Sequence, residues 1–243
     1  MRLQKSNILH RLKLVLAAAG YLHPHNGHTL DIIPRNDRRQ LLGIIALIQF
    51  RAPDQRDAVP DKLLMEIGIG ICRAIGGDQQ IGRPSKKEEK IIAYLMNFAE
   101  KQGLEAKKDE AGNILIKKSA TPGMEGLKTV ILQSHIDMVC EKNSDSNHDF
   151  LNDPIETYID GEWLKAKGTT LGADNGIGMA TQLAILAADD IEHGPLECLF
   201  TVDEETGLTG AFALQQGFMD GDILINLDSE DEGELFIGCA GGA

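Results

Sequence analysis

Apolar segments that stop in acidic residues recur along this chain, and the recurrence restricts the folds open to it. Thr129 to Gln133 is a short hydrophobic stretch that runs into Ser134-His135-Ile136-Asp137. Leu196 to Val202 runs into Asp203-Glu204-Glu205, and Ile223 to Leu227 into Asp228. A fourth segment brings Asp174, in the glycine-rich turn Gly172-Ala173-Asp174-Asn175-Gly176, which opens an apolar helical stretch from Ile177 to Ala188. Any strand must end in something polar, so one acid at a strand end carries little weight. Four segments delivering acids and one imidazole together point to an open α/β sheet, where ligands collect outside the carboxyl ends of the strands.

The rest of the pattern after residue 84 is consistent with that sheet. Ser85 precedes Lys86-Lys87-Glu88-Glu89, a spacing that predicts a capping box with Glu88 at the start of a helix. Ile91, Ile92, Leu95, Phe98 and Ala99 then fall on one helical face, and Gly103 is a natural stop. Asn113 to Lys118 reads as a strand after a turn at Gly112, Tyr158 to Ala166 as a hairpin turning at Asp160-Gly161, and Ala211 to Gln216 as part of a helix. Strands alternating with helices predict an α/β fold, a central sheet with helices on both faces.

Before residue 84 the periodicity is poor. Leu12 to Leu22 reads as a surface helix rather than a signal peptide, because Lys13 interrupts it and no small-residue cleavage site follows. Leu41 to Ile48 reads as a short buried helix or strand. Gly68-Ile-Gly70 lacks the third glycine of a dinucleotide fingerprint, since position 73 is Arg. His23, His25 and His28 lie in a Pro/Gly/Asn-containing loop that reads as a flexible polar segment rather than a metal site.

The residue types select a chemistry. A mixed imidazole and carboxylate set suits zinc, manganese or cobalt; calcium prefers all-oxygen ligands, and structural zinc more often uses thiolates. Two metals about 3.5–4 Å apart require a bridging carboxylate, and such a pair activates water and polarises a carbonyl together. In His135-x-Asp137 a strand spacing of two puts both side chains on one face, where the Asp can orient the ring. In Glu204-Glu205 successive side chains point differently, so one can bind metal while the other moves a proton.

Charge and cysteine usage narrow the partners. A formal charge of −13 opposes nucleic acid as the main partner, because backbone phosphates would be repelled. No apolar run approaches the ~20 residues that span a bilayer, which argues against a membrane partner. Cys72, Cys140, Cys198 and Cys239 lack CxxC spacing and read as reduced thiols of a cytoplasmic protein.

Four motifs in order carry a resemblance: Ser134-His135-Ile136-Asp137-Met138-Val139, Gly168-Thr169-Thr170-Leu171-Gly172-Ala173-Asp174-Asn175-Gly176-Ile177-Gly178, Asp203-Glu204-Glu205-Thr206-Gly207 and Asn226-Leu227-Asp228-Ser229-Glu230. From about Arg83 to Ala243 the chain resembles the aminoacyl-histidine dipeptidases, carnosinase-like members of the co-catalytic di-zinc exopeptidases, also called cytosol non-specific dipeptidases. The resemblance implies a mixed central sheet with helices on both faces, incomplete in this chain. It implies hydrolysis of dipeptides, Xaa-His and broader, by a water activated between two divalent metal ions, zinc first, with cobalt or manganese as the other suitable ions. By motif position, His135 and Asp228 hold one ion, Asp174 bridges both, and Glu205 binds the second. Asp137 orients His135, Glu204 is the general base, and the Asp174–Asn175 peptide bond is expected to be cis. The substrate partner is a dipeptide, and full-length family members are expected to be homodimers.

The chain also departs from that family. The family's catalytic domain is interrupted by a lid or dimerisation domain and then supplies a last histidine to the second metal; here the sequence stops at Gly238-Cys239-Ala240-Gly241-Gly242-Ala243, and His148 and His193 do not stand in that motif position. Ile71-Cys72 is separated from Arg83-Pro84-Ser85, where the family has a short Ile-Pro-x-Pro-Ser entry. Residues 83–243 are therefore expected to be the first part of the catalytic domain. Residues 1–82 form a divergent region expected to pack poorly, and an altered frame, a wrong start or a gene fragment explains them better than an extra domain. Two other functions stay open: a truncated fragment that binds one metal weakly through His135, Asp174 and Asp228 without catalysis, and an interaction module around Arg35, Arg38 and Arg39.

Overall fold

A computed structural model of the chain describes Leu3–Gln4 and residues 81–160, 163–189 and 191–228. The readings above at residues 12–22, 23–28, 35–39, 41–48 and 68–73, and at Cys72, Cys239, Ser229 and Glu230, lie outside the described residues. In chain order the elements are β1 (Leu3–Gln4), α1 (Glu89–Gln102), β2 (Glu105–Lys108), β3 (Ile114–Lys118), β4 (Val130–His135), β5 (Thr157–Asp160), β6 (Trp163–Ala166), α2 (Ala173–Ala187), β7 (Leu196–Thr201), α3 (Thr209–Ala213) and β8 (Ile223–Asn226).

The main sheet is five-stranded and mixed, in the order β2-β3-β7-β4-β8. β2, β3 and β7 run antiparallel to one another in turn, whereas β7, β4 and β8 are parallel. Register follows the alternation of apolar side chains. Ile116, Cys198, Leu132 and Ile225 align across four strands on one face, and α1 and α2 cover them with Ile91, Leu95, Ala99, Met179 and Leu183. On the opposite face Leu115, Leu199 and Ile131 pack under Leu214, Phe218 and Met219, in the segment that follows α3. The expected α/β class with a mixed, partial sheet is what forms, with the two faces covered unequally among the described residues. β5 and β6 form the predicted hairpin, Asp160 pairing with Trp163, and Leu3–Gln4 adds to it alongside β6.

The two ends of α1 are set in different ways, the C-terminal one locally and the N-terminal one not. Gly103 takes the left-handed conformation (φ 66°), its N–H donating to Glu100 O while Leu104 N–H donates to Ala99 O, which completes a Schellman motif. The predicted capping box at the other end does not form. Glu88 holds the N-cap position without a side-chain cap, and the Ser85 hydroxyl donates instead to Asp137 Oδ2 at 2.6 Å. A hydroxyl bound to a buried carboxylate is stronger than one bound to a backbone amide, so the site takes Ser85 from the helix.

Two further elements differ from the reading. β2, Glu-Ala-Lys-Lys, has no apolar alternation, and its pairing with β3 makes it a strand. α3 begins two residues earlier than expected and is short, because the chain must turn at once behind Asp203, whose carboxylate accepts from Thr206 and Thr209 hydroxyls. Helix α2 is fixed to the sheet by Gln182, which donates to Leu132 O (2.6 Å) and Leu199 O (3.2 Å) and accepts from the Ser134 hydroxyl. Lys118 Nζ donates to the last carbonyls of the same helix, at Ile185, Leu186 and Ala188.

Candidate metal centre

Parallel strands end on the same side of a sheet, and here that geometry gathers the acids. His135 is the last residue of β4 and pairs with Thr201, the last residue of β7, while Gln133 pairs with Asn226, the last residue of β8. Asp137, Glu204, Glu205 and Asp228 therefore emerge at one edge within a few residues of their strands. Asp174 arrives from the turn before α2, where Asp174 and Asn175 have non-helical dihedrals and the peptide bond between them is cis, as the resemblance implied.

His135 lies at the centre, its ring fully buried. Nε2 lies 3.2 Å from Asp174 Oδ1 and 3.7 Å from Asp228 Oδ1. Nδ1, on the other edge of the ring, lies 3.2 Å from Asp137 O and 3.3 Å from Asp137 Oδ1. A proton on Nδ1 directed at Asp137 leaves the Nε2 lone pair facing the two outer acids. Burial opposes a charge on this ring, yet Asp137, Asp174 and Asp228 together raise its pKa to about 10.

Asp137 does more than orient the ring. Its Oδ1 accepts the backbone N–H of Glu204 at 3.0 Å, and its Oδ2 accepts that of Glu205 at 3.2 Å and the Ser85 hydroxyl at 2.6 Å. Burial works against this carboxylate, but His135, Ser85 and Glu204 N–H outweigh it and hold its pKa at about 2. The turn that follows is fixed from behind: Asp203 N–H donates to Glu88 Oε1 at 3.0 Å. Glu88 and Ser85, both read from the sequence as helix-capping residues, are thus contacts of the site. No local pattern marks them as such, because their partners lie 52 and 115 residues away.

The donor set fits a cation. Two groups bring their ligand atoms within 4.8 Å of one another, His135 with Glu204 and Asp228, and His135 with Asp174 and Glu205. The six residues singled out from the sequence therefore converge, although Glu204 stands among the potential ligands and not apart from them. Burial lifts Asp228 to about 7, reinforced by Asp174 and Glu204, and burial also lifts Glu205, with Asp174, Glu204 and Asp137 adding to it. Carboxylates pressed together in this way are what a divalent cation relieves. His148 and His193 stand outside both groups: His193 is buried with Nδ1 donating to Gly194 O at 2.7 Å, and His148 packs edge-on against Phe150.

The chain is similar in sequence and fold to known peptidases. Residues 131–239 match the model of peptidase family M20/M25/M40. The chain is 57% identical over 179 residues to the cytosol non-specific dipeptidase of Escherichia coli (strain K12), an alignment covering 74% of this chain and 36% of that protein. Among solved structures, the aminoacylhistidine dipeptidase from Vibrio alginolyticus aligns with a TM-score of 0.67 and 55% identity over 74% of this chain and 35% of that one. The aminopeptidase PepT from Bacillus cereus aligns with a TM-score of 0.55 and 25% identity over 70% of this chain and 44% of that one. The resemblance to the aminoacyl-histidine dipeptidases is thereby shown for the aligned part, and the chain spans little more than a third of the length of the dipeptidases it matches.

Proposed function

We infer that this chain carries the metal-holding part of a dipeptidase, a hydrolase that cleaves the single peptide bond of Xaa-His and broader dipeptides. The observation that carries the reading is His135, with Nε2 facing Asp174 and Asp228 and Nδ1 backed by Asp137, beside a Glu204-Glu205 turn hung on the same Asp137. His135 and Asp228 would hold one ion, Asp174 would bridge, and Glu205 would hold the second. Zinc suits this set first, then cobalt or manganese. Bound there, a pair of divalent ions acidifies a water molecule and polarises the scissile carbonyl.

The chain's own residues do the rest. Asp137 keeps the imidazole in the tautomer that presents Nε2, and fixes the backbone from which both glutamates project. Glu204 takes the proton of the attacking water and returns it to the leaving amine. Asp174 and Asp228, 3.2 and 3.7 Å from Nε2, supply the negative charge that a divalent cation would neutralise. The cytoplasm is the setting we assign, on free thiols at Cys140 and Cys198 and on the name of the E. coli relative.

Zinc titration of the full chain and of Glu204→Gln, together with dipeptide hydrolysis by both, tests the reading. Wild-type affinity with hydrolysis lost supports Glu204 as the base. Loss of zinc affinity instead makes Glu204 a ligand, as its place beside His135 and Asp228 also allows. Zinc binding by the wild-type chain without any turnover favours the non-catalytic reading.

A further inference from the structure

Arg83 has the largest fully buried side chain among the described residues, at 2% exposure, and the mechanism makes no use of it. Its Nη1 donates to Ile136 O at 3.0 Å and to Asp137 O at 2.6 Å, and its Nη2 donates to Gly172 O. Its own carbonyl accepts Met138 N–H at 3.1 Å, next to a bridge between Pro84 and Met138. One side chain therefore grips two separate turns: the one that leaves β4 after His135, and the one that delivers Asp174.

A second observation shows how closely the parts fit. A Cβ at Gly172 would stand 2.7 Å from both Arg83 Nη2 and Met138 Sδ, and Gly172 has a φ of +68°. The guanidinium plane thus rests against bare backbone, in a gap that only glycine leaves. Thr170 also ties these segments, through its hydroxyl to Val139 O and its N–H to Glu141 O, but farther along both chains from the ligands. A rigid planar fork of donors holds three carbonyls on two segments in a fixed geometry, which a rotatable lysine ammonium on a flexible stem does not impose.

We propose that Arg83 is a positioning residue for the metal pair, its guanidinium setting how far the His135 turn stands from the Asp174 turn. The inference rests on the metal-holding reading above, since the separation it sets is that between His135 Nε2 and the Asp174 carboxylate. It assigns to the segment entering α1 a part in the site that no ligand motif contains.

The test uses the full chain and zinc alone, with affinity measured by calorimetry and metal-free thermal stability measured in chelator. Arg83→Met keeps the length of the side chain and removes every donor; its zinc affinity is expected to fall ~10–100-fold, the range for residues behind metal ligands. Leu95→Ala, a cavity under α1 away from the site, is the control for stability alone: its metal-free midpoint falls while its zinc affinity holds. The absorption spectrum of bound cobalt should shift in Arg83→Met and stay unchanged in Leu95→Ala. Unchanged zinc affinity and cobalt spectrum in a folded Arg83→Met overturn the proposal. Should Arg83→Met fail to fold, Arg83→Lys decides: weakened zinc binding at a near-normal metal-free midpoint supports the proposal, and wild-type affinity overturns it. Failure of both variants to fold makes Arg83 a residue of the fold alone and also overturns it. A wild-type chain that binds no zinc defeats the metal reading itself, an outcome distinct from any of these.

Discussion

Asp137 accepts the backbone N–H of Glu204 at 3.0 Å through the same Oδ1 that lies 3.3 Å from His135 Nδ1. One buried carboxylate thereby sets both the ring that presents Nε2 and the backbone from which the adjacent glutamates project. A buried charge persists only when its lone pairs are met, and here Ser85, Glu205 N–H and the imidazole supply the remaining partners. The acid behind the imidazole is thus the joint between two segments of the candidate site that are 67 residues apart in sequence.

Asp137→Asn tests that joint. The amide keeps the shape but offers one acceptor where four donors converge, so at least one N–H or O–H is left facing another donor. Zinc affinity is expected to fall ~10–100-fold. The pH dependence carries the sign of a lowered carboxyl pKa. Asp137 stabilises the metal-free fold fully above its ordinary value of 3.8, and that contribution is lost as pH falls through about 2. Denaturation of wild type and variant from pH 7 to pH 2 should show the gap between them closing below pH 4. A gap independent of pH would count against the assigned charge.

Ser85→Ala separates the site from the helix. Loss of a cap would fray the first turn of α1, whereas loss of a hydroxyl bond to Asp137 should leave the helix intact. A bond to a buried charge is worth about 1.5–3 kcal/mol. The expected result is a stability loss of that order, weaker zinc binding, and unchanged hydrogen exchange in residues 89–92. Faster exchange confined to that turn would restore the capping role.

Legibility in the sequence followed the range of the interaction. The strand ends of β4, β7 and β8, the hairpin at Asp160, the stop at Gly103 and the apolar face of α1 were all readable, because each is written in residues a few positions apart. His135, Asp137, Asp174, Glu204, Glu205 and Asp228 stood out for a related reason: metal chemistry restricts residue types sharply, and strand ends give them a shared edge. What escaped depends on partners far along the chain. Ser85 carries the local signature of a cap, and only the fold reveals a stronger acceptor 52 residues away. Arg83 carries no local signature of its role, and only the fold brings three carbonyls around it. β2 is a strand only because β3 lies beside it.

Gly172→Ala should harm the site from the opposite side of Arg83. The new methyl meets the guanidinium and the Met138 thioether at 2.7 Å, in a backbone conformation (φ +68°) that alanine adopts poorly. Overpacking of this kind costs about 1–3 kcal/mol, with roughly 1 kcal/mol more for the left-handed backbone. Urea denaturation of the metal-free chain measures this combined loss, and zinc titration should show weaker binding as the Asp174 turn is displaced. Stability and affinity both at wild-type levels would show that the gap is roomier than the distances indicate.

Metal binding should release protons, and the sign follows from the two groups at the centre. Without metal, His135 titrates at about 10 and Asp228 at about 7, both above their ordinary values. Each raised value means that the fold holds a proton the unfolded chain would give up. The His135 contribution is present in full below its ordinary value of 6.5 and is lost as pH rises through about 10. Asp228 acts in the same direction, its ionisation costing more in the fold than in the unfolded chain between its ordinary value of 3.8 and about 7. The metal-free fold should therefore weaken as pH rises from 6 to 10. A cation needs the opposite states, a neutral imidazole and ionised carboxylates, so zinc affinity should strengthen over the same range. At pH 7 the imidazole and part of Asp228 must deprotonate on binding, which sets the release between one and two protons per site. Calorimetric titration in two buffers of different ionisation enthalpy counts them directly. Identical heats in both buffers, with affinity flat from pH 6 to 8, would mean that zinc binds without displacing the His135 proton and that the ring is not the ligand.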